Sequence, residues 1–126
     1  MSLAGYKAVS FIFTRDRKAA EAYYRNVLGL PFLVDDGFAS VFDLGGAPLR
    51  ITEIPDHVPG AHPALGWMVD DIVAAVTALK AKGVVFNIYE GMGQDELGIW
   101  TAPGGSAKVA FFNDPEGNGL SLTEVG

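Results

Sequence analysis

Two segments of this 126-residue chain carry the same local signals at a nearly constant interval. In "RDRKAAEAYYRNVLGL", Asp16 is placed to cap a helix and Ala19, Ala20, Tyr23, Tyr24, Val27 and Leu28 recur at helical spacing. Gly29 stands just past the end, and Pro31 discourages continuation. In "DDIVAAVTALKAKG", Ile72, Val73, Val76 and Leu79 fall on one face and Gly83 is the stop. Asp16 and Asp71 are 55 residues apart, and Gly29 and Gly83 are 54 apart. A chain built this way is a duplication, so its fold is expected to be one supersecondary unit made twice.

The surroundings of each helix define that unit. "YKAVSFIFT" precedes the first helix as a strand, and "PFLVDD", "FASVFDL" and "PLRITEI" follow it, separated by Asp-Gly and Gly-Gly turns. "LGWMV" precedes the second helix, and "VVFNIYE", "LGIWTA", "KVAFFND" and "LSLTEV" are the strand candidates after it. The expectation is an α+β chain of two βαβββ modules, about residues 5–55 and 63–125, within a single domain spanning 1–126. Each module makes a mixed sheet with its helix on one face, and the sheets curve around a cleft.

The totals exclude several function classes. No cysteine is present, so thiol nucleophiles, disulfides and cysteine-held zinc are absent. The formal charge is −6 without a Lys/Arg block, which argues against nucleic acid as a partner. No apolar run approaches the roughly 20 residues that span a bilayer, and the N-terminus has no basic segment leading an apolar core. A cytoplasmic protein with no membrane partner is the expectation.

"AAEAYYRNVLGL", "GWMVDDIVAAV" and "VAFFNDPEGNGLSLTE" together resemble the vicinal oxygen chelate superfamily, which holds glyoxalase I, bleomycin-resistance proteins and extradiol dioxygenases. The resemblance implies paired βαβββ modules forming a U-shaped cup, often in a homodimer, with the ligand inside. It also implies, in catalytic members, a divalent metal on four strand positions filled by His, Glu or Gln. Counted from the matching motifs, those positions fall near Val9 and on Arg50, Ala64 and Ser121. None is a credible ligand, and a guanidinium repels a cation. Glu53 and Glu124 lie three residues from Arg50 and Ser121, so strand alternation turns them away. His62 is the best remaining donor, and both His62 and His57 read more simply as loop residues. In "NDPEGNG" the alternation of Asp114, Glu116 and Asn118 invites a calcium site. But the twelfth loop position is Val125, so the segment reads as a turn.

The expected function is therefore that of a metal-independent protein binding a small organic ligand, with no cofactor. The ligand-facing residues expected from parity and the resemblance are Phe11, Phe13, Arg50, Thr52, Met68, Trp100 and Ser121. Arg50 suits an anionic group on the ligand through its planar fork. The simpler readings are a surface or edge-strand arginine paired with Asp43, or one neutralised by an internal acid that the sequence does not identify. Trp67 is expected to turn outward under a helix, and Trp100 to serve as a lid or interface aromatic. Two alternatives stand beside this reading. One is a glyoxalase- or dioxygenase-like enzyme with displaced metal ligands; the other is a non-catalytic dimerisation or regulatory domain.

Overall fold

In the computed structural model, which describes residues 1–126, the predicted strand–helix–strands order is realised twice. The chain divides into two compact units, Met1–Val58 and Pro59–Gly126. The first contains β1 (Ser10–Thr14), α1 (Arg17–Ala22), β2 (Phe32–Asp35), β3 (Ala39–Asp43) and β4 (Pro48–Glu53). The second contains β5 (Pro63–Met68), α2 (Ile72–Ala81), β6 (Trp100–Thr101), β7 (Ala107–Asn113) and β8 (Gly119–Val125). The sheet orders are β1-β4-β3-β2 and β5-β8-β7-β6, which is one topology repeated. In each, the first strand runs parallel to the last, and the other pairs are antiparallel.

The same capping device starts both helices. Asp16 Oδ1 accepts from the Ala19 amide at 3.1 Å, and Asp71 Oδ1 accepts from the Ala74 amide at 3.0 Å. A glutamate from the last strand then takes a further helix amide. Arg17 N donates to Glu53 Oε1 at 3.2 Å, and Ile72 N donates to Glu124 Oε1 at 2.9 Å. First-turn amides have no partner within a helix, so these four carboxylates satisfy what helix geometry leaves open. Gly29 and Gly83 end the two helical segments with φ of 71° and 95°, values that disfavour a β-carbon.

Alternation then divides each sheet into two faces. On the helix side of the first sheet, Ile12, Phe42, Leu49 and Ile51 are buried together with Tyr24 and Ala20. Ser40 is buried on this side as well, and its hydroxyl donates to Glu21 at 2.8 Å. In the second unit the corresponding core is Ile72, Val76, Phe86, Ala110, Phe112, Leu120 and Leu122.

The first helix departs from a regular α-helix in its second half. Tyr23–Val27 is a π-helical turn, closed by Leu28 N donating to the Tyr23 carbonyl. Tyr24 is fully buried within this turn, with its ring 6.2 Å from that of Phe42. In α2, Ile72 and Val76 are buried but Val73 stays exposed, so the apolar stripe is narrower than predicted.

The predicted strand "VVFNIYE" is not one. Only Phe86 bridges the sheet, opposite Phe112, and Asn87 N then donates to the Phe111 carbonyl at 2.8 Å. Beyond that point a side chain replaces the ladder. Tyr89 N donates to Gln94 Oε1 at 2.7 Å, while Gln94 Nε2 donates to the carbonyls of Asn87 (2.9 Å) and Gly98 (2.8 Å). An amide that satisfies three backbone groups gives the chain a loop where it would otherwise need a strand partner.

Candidate functional site

Cross-strand register fixes which residues share the face opposite each helix. In the first unit, Phe11, Arg50 and Val41 form one row, and Phe13, Thr52 and Ala39 the next. Phe11 is 55% exposed and Phe13 39%, whereas Ala39 and Val41 are buried. Two aromatic rings therefore present area on the side where Arg50 emerges. The Phe13 ring also packs 5.9 Å from His57.

Arg50 has an acidic partner, but it is not Asp43. Its Nη1 lies 2.8 Å from Asp36 Oδ2, and both side chains are about a third exposed. Asp43 instead accepts from Gly46 N at 2.7 Å within the β3–β4 turn. Asp36 reaches Arg50 because its other oxygen ties the β2–β3 turn, accepting from the amides of Phe38 and Ala39 at 2.9 Å each. The Phe38 amide, the Arg50 guanidinium and the Ala39 amide together hold the Asp36 carboxyl down at about 2. Asp35 is also lowered, chiefly by the Gly37 amide and then by Arg17 at 3.0 Å. Only one nitrogen of the Arg50 fork is committed to Asp36, so donors remain for an anion.

In the second unit, Gly66, Ser121 and Phe111 share a row, and Met68, Thr123, Val109 and Trp100 share the next. Met68 is 75% exposed, while Trp100 is half-buried on the short strand β6. Trp67 pairs with Leu122 on the helix side. Ser121 is packed against Gly66, where a β-carbon would collide with the serine Oγ. Ala64 falls at a register shift between Pro63 and Leu65, which displaces it from regular alternation. The seven expected residues thus divide into four on the first sheet (Phe11, Phe13, Arg50, Thr52) and three on the second (Met68, Trp100, Ser121).

The family's divalent metal does not fit these side chains. Val9 and Ala64 have no donor, Ser121 Oγ is packed over Gly66, and Arg50 is cationic and tied to Asp36. The nearby glutamates are committed to helix amides. Nowhere do three His, Asp or Glu side chains gather as a metal-binding group. Asp114, the other acidic candidate, is buried. Its Oδ1 accepts from the amides of Glu116, Gly117 and Asn118, and its Oδ2 from Asn118 Nδ2 at 2.9 Å. "NDPEGNG" is therefore a self-satisfied turn in which the carboxylate organises the backbone.

A pocket of about 260 Å³ lies wholly within the second unit, and none of the seven expected residues lines it. His62, Asn87, Tyr89, Met92, Phe111 and Asn113 are among its walls. Sequence reasoning missed it because it treated residues 84–90 as a strand. The available signal was the Gly-rich stretch "GMGQDELG", where an ordered loop carrying polar and aromatic residues is a common site of recognition.

The model for the Glyoxalase/Bleomycin resistance protein/Dioxygenase superfamily matches residues 7–122. No curated protein matches the sequence. Among solved structures, TnmS3, an antibiotic binding protein from Streptomyces sp. CB03234, superposes with a TM-score of 0.74 at 20% identity, covering 100% of both chains. Lactoylglutathione lyase from Agrobacterium tumefaciens gives 0.73 at 19% identity, covering 98% of this chain and 96% of that one. A glyoxalase/bleomycin resistance protein from Catenulispora acidiphila gives 0.71 at 24% identity, with coverages of 95% and 98%. At such identities the likeness is one of fold.

Proposed function

Since this chain belongs to the Glyoxalase/Bleomycin resistance protein/Dioxygenase superfamily, we propose that it is a metal-independent member that binds a small organic ligand carrying an anionic group. One observation carries the reading: Arg50 occupies a position where the resemblance expects a metal ligand, and it stands in register with exposed Phe11. A guanidinium beside an aromatic face suits a planar anion, with the ring on phenylalanine and the carboxylate on the free donors of the fork. Asp36 lowers the local positive charge, which favours a monoanion over a strongly charged phosphate. Thr52, two residues along the strand on the same face, supplies a hydroxyl. The antibiotic-binding description of TnmS3 agrees with ligand binding on this fold.

The test has two arms. Elemental analysis of the purified protein is expected to find less than about a tenth of an equivalent of nickel, zinc, iron or manganese. Thermal-shift screening with aromatic monocarboxylates is expected to show stabilisation that disappears in Arg50→Ala. A full metal equivalent would overturn metal independence, and an unchanged response in Arg50→Ala would remove Arg50 from the site. A homodimer and a cytoplasmic location belong to the same reading. For the former, the β2–β3 hairpin exposes Leu33, Val34 and Phe38, apolar surface that a second copy would cover. No helix is long and apolar enough to cross a membrane.

A further inference from the structure

The pocket in the second unit has features of a second, chemically different site. Apolar walls come from Phe111, Met92 and Tyr89, whose ring meets Phe111 edge-on at 5.9 Å. Polar atoms come from His62, Asn87 and Asn113, and no Asp, Glu, Lys or Arg lines the space. Asn87 Nδ2 donates to Asn113 Oδ1 at 2.6 Å and reaches the Tyr89 hydroxyl oxygen at 3.4 Å. These bonds leave the Asn87 side-chain oxygen Oδ1 and the Tyr89 hydroxyl proton uncommitted, and the His62 ring adds a further polar edge.

The loop that brings these groups together is fixed in place. Gln94 holds the Tyr89 amide and the Asn87 carbonyl in one clamp, so the ring and the amide are positioned before any ligand arrives. The volume corresponds to about nine waters at ~30 Å³ each, room for a one- or two-ring molecule. A wall with aromatic faces, an open acceptor and open donors but no Asp, Glu, Lys or Arg favours a neutral ligand, because an ion there gives up hydration with little to replace it.

We infer that this pocket binds a neutral, planar ring compound carrying a carboxamide-like donor–acceptor pair. The ring packs against Phe111, Tyr89 and Met92, and the amide bonds to Asn87 and Tyr89. The site is built from residues of the second unit alone, whereas Arg50 belongs to the first, and it prefers a neutral ligand where Arg50 prefers an anion.

A matched pair of probes tests it: indole-3-carboxamide and indole-3-carboxylate, equal in shape and different in charge. Each is titrated into the ¹⁵N-labelled full chain and followed by NMR. The carboxamide is expected to give saturable shifts at the Asn87 and Asn113 side-chain amides and at the Met92 backbone, with a Kd on the order of 1 mM or tighter. The carboxylate is expected to bind there about tenfold more weakly. Tyr89→Ala and, separately, Met92→Ala should each weaken the carboxamide about tenfold; Tyr89 is about half exposed, so its removal spares the core. Arg50→Ala should leave these shifts unchanged, even if the Arg50 reading itself fails. Absence of saturation, equal binding of the carboxylate, indifference to both pocket variants, or dependence on Arg50 would each overturn the inference.

Discussion

At the scale of single residues, Asp36 links the β2–β3 turn to Arg50 on β4. It ties a turn with one oxygen and Arg50 with the other. Its carboxyl sits at about 2 against an ordinary 3.8, so the folded state favours the ionised form. That contribution is complete above about pH 4 and is lost as pH falls through about 2. The stability difference between wild type and Asp36→Asn should therefore shrink steadily over that window, as measured by denaturant titrations at each pH. In Arg50→Ala the Asp36 carboxyl should titrate higher, though still below 3.8 because the two backbone donors remain; carboxyl-carbon NMR reads this directly. The sequence showed Arg50 and named Asp43 as a candidate partner. It could not show Asp36, because a hairpin turn had to fold first.

At the scale of elements, capping and turn chemistry were readable and tertiary substitution was not. Asp16, Asp71, Gly29 and Gly83 are short-range signals, and each sits where local backbone geometry requires it. The segment after α2 failed as a strand because Gln94, seven residues beyond Asn87, supplies the bonds a neighbouring strand would have given. The π-helical turn at Tyr23–Val27 is likewise invisible to helical periodicity, which assigns Tyr24 the same face in either case. Two predictions belong here. Asp114→Ala removes the side-chain acceptor of three backbone amides, of which only Gly117 keeps a second acceptor in the Asp114 carbonyl. It should cost about 3 kcal/mol by chemical denaturation, against about 1 kcal/mol for Glu124→Ala at the α2 start. Gly66→Ala should cost about 1–2 kcal/mol through its clash with the Ser121 hydroxyl, and Ser121→Ala should recover part of it in a double-mutant cycle.

At the scale of the whole chain, the duplication was the most legible fact because it rests on two spacings that agree. Both sheets repeat one strand order, and both helices start on an aspartate and a borrowed glutamate. The site was less legible. Parity placed Phe11 and Phe13 opposite the buried Ile12, but periodicity holds no information about the pocket assembled by residues 60–63, 87, 89, 92, 111–113, 119 and 120. If the proposed homodimer forms, light scattering should report twice the 13.3 kDa chain mass. Charge substitution at Phe38, 79% exposed at the hairpin tip, should then shift the equilibrium toward the monomer. Treatment with a chelator should leave the melting temperature within about 1 °C of its starting value.

The borrowed glutamates have a consequence for how such a chain can change. Glu53 and Glu124 serve folding from the helix side of their strands, while Arg50 and Ser121 occupy the other side. Rewriting positions 50 and 121 therefore touches neither helix start. Side chains at those two places can be exchanged one step at a time, in either order, with both helix starts left intact.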